Sequence, residues 1–370
     1  MKHWQVNLVA AVLIGLCVLY TMPYIVMVTG RNDFAHFYIG GLLYGTPAIH
    51  SAEANQQKQI ELTGVIMANS YFIRPTFYGF LLKPLSWLPY YPAYLVFQAV
   101  SVMCLIFFLR SFAPGRHDLL ILAAMTPPLI ANFVLGQDVM LLVGILTATV
   151  LLARRGADFT AGLILSLCAI KFHLFLLLPA AVLLHRRFRL FWGGLAGGLI
   201  LFLIGLGSGG FVVYPRLLAL LRNPINSPIP AIMPNLRGFV YAIAGENTPL
   251  LISLSVIVAG VVVFLAWRAE SFEHALAYCL IGGVLVNFHA YMQDCLLLLV
   301  AFALMPRTPE MKPAVAFLTI AILPFPYIAL YAGPPYSALF DLLPLLALGA
   351  AVVAYSRQKA LACPAPAESM

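Results

Sequence analysis

Asp33 stands in the run Arg31-Asn32-Asp33-Phe34-Ala35-His36-Phe37-Tyr38. A carboxylate there has two readings. It can cap the helix that follows and pair with Arg31, or it can act as a general base, removing the proton of a hydroxyl that attacks an activated carbon. Lys171 is the sharpest local anomaly, because apolar runs flank it at 165–170 and 172–179. A cation inside a membrane segment is costly and functional by default, against the alternative that its ammonium snorkels to the surface. A lone cation suits a phosphate, and Arg74 together with Arg216, Arg222 or Arg237 would add charge-assisted hydrogen bonds to the same anion.

Two further groups could do chemistry. His289 and Asp294 lie on a short hairpin with Asn287, Tyr291 and Gln293. They are either a self-satisfied turn or a histidine that orients a phosphate or the base, with Asp294 holding its tautomer. Gln137 and Asp138 end the run Asn132-Phe133-Val134-Leu135-Gly136-Gln137-Asp138. The simple reading for them is capping of the next helix. No Walker sequence, glycine-rich dinucleotide loop or HExxH occurs, so soluble nucleotide chemistry has no support.

The elements that must position these residues are membrane helices. The 370 residues are 62% hydrophobic and 9% charged, with a mean hydropathy of +0.96. A soluble chain carries about a quarter charged residues, so most of this exterior must meet hydrocarbon. Stretches such as 8–19, 256–266 and 342–353 are apolar on all sides, which excludes the alternation of a membrane β-barrel. The formal charge of +8 is spread over short loops (Arg110/Arg116, Arg154/Arg155, Arg186/Arg187/Arg189, Arg268, Arg307/Lys312, Arg357/Lys359). That distribution marks cytoplasmic loops rather than a nucleic-acid patch. The six cysteines show no ligand or disulfide spacing and read as small hydrophobes.

The expected fold class is an all-α polytopic membrane protein with about 12 transmembrane helices (about 11–13) and both ends inside. Residues 1–370 form one transmembrane domain, with external loops at 29–70 and 214–247 and a cytoplasmic tail at 356–370. Residues 6–28 follow Lys2, lack a small-residue cleavage site and are expected as a retained first helix. Residues 54–63 are expected as an interfacial helix. A short helix at 72–88 that does not cross precedes one span at 91–109; two crossings there would break the charge rule at Arg110. Segments 119–133 and 135–153 form a hairpin. Segment 160–184 has basic residues at both ends, which suggests two short helices meeting near Lys171 and His173, each arm reaching about 18 Å. Spans at 190–213, 250–267, 275–288, 296–304, 315–331 and 339–354 complete the order. Asp33, His36, Arg74, Gln137, Asp138, Lys171, His173, His289 and Asp294 then all fall at outer helix ends or outer loops.

The order of short blocks resembles glycosyltransferase family 87, polyprenyl-phosphate-sugar-dependent enzymes of the GT-C superfamily that include bacterial phosphatidylinositol mannoside mannosyltransferases. The blocks are Asp33-Phe34 through Phe37-Tyr38, Pro84-Leu85-Ser86-Trp87-Leu88-Pro89, Leu135-Gly136-Gln137, Ala161-Gly162 followed by Lys171, Met233-Pro234-Asn235-Leu236-Arg237-Gly238, and His289-Ala290-Tyr291-Met292-Gln293-Asp294. Each is weak alone, and their order and spacing carry the resemblance. Two depart from the family pattern: Tyr71-Phe72-Ile73-Arg74-Pro75 replaces aromatic-x-Tyr-Pro-Pro, and Lys171-Phe172-His173-Leu174 replaces Lys-x-x-Pro. Donor and acceptor specificity therefore do not transfer with the fold.

The resemblance implies a GT-C fold, with Asp33 as catalytic base, His289 cooperating with it and Lys171 as a partner of the donor phosphate beside Arg74 and Arg237. His36, Tyr38, Asn132, Gln137, Asp138, His173, Asn235, Tyr291 and Asp294 are expected to support the site or bind substrate. The implied reaction inverts the anomeric centre of a mannose or another hexose or pentose. The sugar moves from a polyprenyl-phosphate donor to a hydroxyl of a lipid or glycan at the outer face of a bacterial cytoplasmic membrane. No cofactor and no metal is expected, and partners are the lipid substrates and membrane lipids, not nucleic acid; a monomer would suffice. A flippase or transporter, or a noncatalytic assembly subunit, is the alternative, although paired repeats with broken helices of the kind transporters show are not visible.

Overall fold

The structure, a computed structural model, describes residues 32–64, 71–223 and 228–362, with side chains to residue 357. The expected first helix at 6–28, and Arg31, lie outside the described residues. Every regular element among the described residues is helical. Among the described residues, five helices are long and apolar enough to cross a membrane: Tyr90–Phe112, Asp158–Phe175, Phe188–Leu206, Thr248–Arg268 and Ala338–Arg357. Two bent pairs raise the number to seven if each is one span. Four shorter apolar helices, Phe34–Leu43, Val139–Arg154, Phe272–Val286 and Met292–Leu304, accompany them.

The exteriors of these helices explain the composition. On Phe188–Leu206, Trp192, Leu199 and Leu203 are more than half exposed, and on Thr248–Arg268 so are Ile252, Val256 and Ile257. Apolar surface on that scale is matched to lipid, not to water.

The chain divides into two compact units. Of the described residues, the first comprises 32–64, 71–124, 128–172, 188–223 and 228–229. Within it, Phe34 packs its ring against Phe97, Tyr94 and Tyr90 at centroid distances of 5.0, 5.4 and 5.6 Å, which fastens Phe34–Leu43 to the long Tyr90–Phe112 helix. The Thr76–Leu82 helix and the short 3-10 turn Lys83–Trp87 precede that long helix. Asp158–Leu165 lies hard against Phe188–Leu206, because Gly162 and Gly193 present no side chain; a Cβ on either would overlap a carbonyl oxygen, of Leu190 or of Phe159. Small residues are how membrane helices approach closely.

Of the described residues, the second unit comprises 125–127, 173–187 and 230–362. Its centre is Phe272–Val286, a helix buried along nearly its whole length, which contacts Thr248–Arg268 and Leu296–Leu304. Asn235 caps the Leu236–Ala244 helix by accepting from the Gly238 amide at 3.0 Å.

Two expectations about elements need correction, and a third is met. The span at 315–331 is two helices, Pro309–Ile322 and Pro324–Ala332, bent by 59°, since Pro324 removes a helical donor and starts a new helix. The arm at 119–133 is likewise bent by 50° between His117–Met125 and Pro127–Val134. The break near Lys171 and His173 falls on Lys171 itself, whose φ of −127° and ψ of 55° leave the helical region.

Candidate active site

In the first unit the turn 132–138 is held rigidly before it presents any polar group. Asn132 accepts the Met140 amide at 3.1 Å and its carbonyl accepts the Gln137 amide at 2.8 Å. Gln98 donates to the Phe133 carbonyl at 2.7 Å. Gly136 has φ +63°, and a Cβ there would stand 2.9 Å from the Cβ of Phe34, so the turn demands glycine at this point. The amide of Asp33 closes the assembly by donating to the Leu135 carbonyl at 2.8 Å. Asn132 thus serves as scaffold, and Asp33 is anchored by its backbone.

Asp138 is the pivot of the cluster. It occupies the cap position of Val139–Arg154, yet its side chain makes no cap hydrogen bond. Instead its carboxylate, wholly buried, accepts from Arg74 Nε at 2.8 Å and Nη2 at 3.3 Å and stands 3.2 Å from Lys171 Nζ. The capping reading of Asp138 is therefore overturned. Desolvation would raise its pKa, but the two cations and their hydrogen bonds outweigh burial and hold the carboxyl well below the ordinary range. Two cations against one anion leave this triad with one net positive charge.

Asp33 completes the constellation. Its side chain makes no cap hydrogen bond to Phe34–Leu43; the Gln137 amide nitrogen donates to its Oδ2. The oxygen of the same amide faces Lys171 Nζ at 3.4 Å. Burial pushes the Asp33 carboxyl up, against the hydrogen bond from Gln137 and the charges of Lys171 and Arg74, while Asp138 pushes it further in the same direction as burial. The residue nevertheless keeps accessible surface. A largely buried carboxylate with a raised pKa that keeps some accessible surface, next to the Arg74, Asp138 and Lys171 triad, can accept a proton from a substrate hydroxyl.

His36 is buried one turn into Phe34–Leu43. Tyr38 is occupied structurally, its hydroxyl donating to the Leu88 carbonyl at 2.7 Å. Sequence reasoning missed Tyr78 and Tyr90. Tyr90 donates to Asn32 Oδ1 at 3.1 Å. Tyr78 is buried within electrostatic reach of Asp138 and Arg74, and its hydroxyl has no hydrogen-bond partner among the described residues. Its position three residues after Pro75 was the only signal, and buried tyrosines are too common in membrane helices for that to be specific.

Tyr78 also lines an apolar cavity of about 510 Å³ with Ile170, Val100, Leu141, Gly144 and Ala148. The cavity abuts the charged cluster at two points, through Tyr78 and through Ile170, the neighbour of Lys171.

The remaining expected residues belong to the second unit. The His289 amide donates to Asn287 Oδ1 at 2.8 Å, and Asn235 Nδ2 donates to the Asn287 carbonyl at 2.9 Å. The His289 ring meets Tyr291 edge-on at 4.9 Å and His173 at 6.2 Å. Asp294 Oδ2 accepts the Tyr291 amide at 2.9 Å and so supports the turn that carries the histidine. Arg237 lies over the Phe288 ring at 3.9 Å. The expected site residues thus fall into two sets, one organised by Asp138 and one by Asn287.

A family model for glycosyltransferase family 87 matches residues 72–292. The chain belongs to glycosyltransferase family 87. The matched region includes Arg74, Gln137, Asp138, Lys171, Asn235, Arg237, His289 and Tyr291, while Asp33, His36, Tyr38 and Asp294 lie beyond its ends. In this glycosyltransferase Asp33 joins the matched region physically, through Leu135 and Gln137. No curated protein and no solved structure was found to match the chain. Among the described residues no group of three or more His, Cys, Asp or Glu side chains is arranged to hold a metal ion.

Proposed function

We propose that this glycosyltransferase moves a sugar from a polyprenyl-phosphate donor to a hydroxyl of a lipid or glycan acceptor, with inversion, and that Asp33 is the general base. The observation that carries the reading is the junction of the buried Arg74, Asp138 and Lys171 triad with an apolar cavity at Tyr78 and Ile170. An amphipathic donor fits both parts, its phosphate toward Lys171 and Arg74 and its isoprenoid units along the cavity.

In the proposed step the acceptor oxygen forms a bond to the anomeric carbon as its proton passes to Asp33. The bond from that carbon to the phosphate oxygen breaks, and the electron pair leaves with the phosphate. A phosphate leaving group needs charge stabilisation rather than a strong acid, which the net charge of the Arg74, Asp138 and Lys171 triad supplies. One displacement inverts the centre; a retaining route would need a second carboxylate as nucleophile, and Asp138 is committed to its two cations. In the second unit Asp294 supports the turn that carries His289. The step uses no metal.

The outer face of a bacterial cytoplasmic membrane is the proposed location, in a chain of about twelve crossings. Support comes from single helices: Asp138 and Arg154 stand at opposite ends of Val139–Arg154, about 24 Å apart. Tyr90 and Arg110 are separated in the same sense along Tyr90–Phe112. If the basic ends are cytoplasmic, the Asp33 cluster is outside.

The test is turnover in proteoliposomes with a panel of polyprenyl-phosphate hexoses and pentoses, followed by product mass and anomeric analysis. Transfer with inversion that disappears in Asp33→Asn is expected. Product formation by a folded Asp33→Asn at the wild-type rate would remove the base from the mechanism.

A further inference from the structure

The Gln137 side chain touches both the proposed base and a cation, Asp33 and Lys171. Its orientation is not a free choice: turning the amide over would set the NH₂ against the Lys171 ammonium and the oxygen against the Asp33 carboxylate, two repulsive contacts in place of two attractive ones. Lys171 is in turn held by Asp138, which Arg74 grips with two hydrogen bonds. The backbone of Gln137 is fixed as well, its amide donating to the Asn132 carbonyl at 2.8 Å, immediately after the glycine turn at Gly136. Neither end of the residue has freedom to drift.

We propose that Gln137 is a positioning residue that sets the rotamer of Asp33 and ties its readiness to accept a proton to the Lys171 charge. This rests on the proposed role of Asp33 as base. The amide passes the polarity of Lys171 to Asp33 without an ion pair. A lysine in direct contact would stabilise the carboxylate so strongly that it became a poor base, whereas a polarised amide steadies the ionised form less and leaves a proton-accepting oxygen. Glutamine supplies the two chemically distinct ends that this requires; glutamate would accept from Lys171 but repel Asp33, and methionine would do neither.

The experiment compares full-length wild-type protein with Gln137→Met, Gln137→His, Gln137→Glu and Asp33→Asn in proteoliposomes. Infrared difference titration against Asp33→Asn reads the Asp33 carboxyl directly, and kcat/KM against pH is measured with polyprenyl-phosphate mannose. In Gln137→Met the Asp33 midpoint is expected to rise by about one pH unit, with the acid limb of kcat/KM rising alongside it. Gln137→His, which can still donate, shifts both by less, and Gln137→Glu shifts them furthest. An unmoved Asp33 midpoint in folded Gln137→Met overturns the inference even if activity falls, since the loss is then structural. If Gln137→Met does not fold, the isosteric Gln137→Glu decides in the same way. Full activity in Asp33→Asn together with the expected infrared shifts would instead remove the base assignment and leave the coupling of Gln137 to Asp33 standing.

Discussion

Asp138 and Arg74, 64 positions apart, meet through two parallel hydrogen bonds in which the guanidinium fork matches the carboxylate. Neither residue is placed there by helix capping. Their pairing, shared with Lys171, lets two cations and an anion exist out of water, because a buried charge persists only when it is matched. Removing the anion should therefore do more damage than its own interactions suggest.

Asp138→Asn leaves Arg74 and Lys171 buried against a neutral amide and is expected to lower stability by about 3–5 kcal/mol. Because the folded state depresses the Asp138 pKa, its contribution is fully present above the ordinary carboxylate pKa of about 3.8 and is lost as pH falls toward the depressed value. Thermal melts in detergent from neutral to acid pH should show a steep loss in the wild type and a shallower one in Asp138→Asn. Equal slopes would argue against the pairing.

Asp33→Asn should behave in the opposite way. A carboxyl whose pKa is raised in the fold stabilises least once it is ionised, so the wild type loses stability as pH rises from the unfolded value through the folded one. At neutral pH the substitution removes that cost, and a melting temperature equal to or above wild type is expected, with turnover reduced by about 10²–10⁴. A large destabilisation would mean that Asp33 is chiefly a structural anchor.

The raised Asp33 pKa also predicts the pH profile. A base must be deprotonated to act, so the acid limb of kcat/KM should lie above the ordinary carboxylate range, and the residual rate of Asp33→Asn should lack that limb. A profile flat down to about pH 4 would contradict it.

Filling the apolar cavity should discriminate between donors by tail length. Ala148→Phe introduces a ring beside Gly144 and Val100, and KM for a long polyprenyl donor is expected to rise about tenfold, equivalent to about 1.4 kcal/mol. A single-isoprene analogue should be affected much less. Parallel losses for both donors would place the lipid elsewhere.

In the second unit, Asp341 is fully buried and neither carboxylate oxygen finds a hydrogen-bond partner among the described residues. Asp341→Leu should raise stability, by about 1–3 kcal/mol if the orphaned group carries its usual penalty. A fall in melting temperature would show that the carboxylate has a partner that stabilises the fold.

Much of this was legible in one dimension. Apolar runs marked Tyr90–Phe112, Phe188–Leu206 and Thr248–Arg268 because lipid rewards each apolar residue wherever its neighbours lie, so the signal sums along the chain. Lys171 was conspicuous for the same reason, as a charge where hydrocarbon was expected, and the block order pointed to the family. Even the break at Lys171 could be read, from basic residues at both ends of one apolar stretch.

Partnership was not legible. Asp138 looks like a helix cap in sequence because it precedes Val139–Arg154, and only the arrival of Arg74 and Lys171 turns it into the anion of a buried triad. Gln137 likewise looks like part of a helix cap until Asp33 and Lys171 are brought to its two ends. Hydrophobicity is a property of each residue and survives projection onto a string of letters. A hydrogen bond or ion pair is a property of two groups at a given distance and angle, and for residues 64 or 104 positions apart only the folded chain sets that distance.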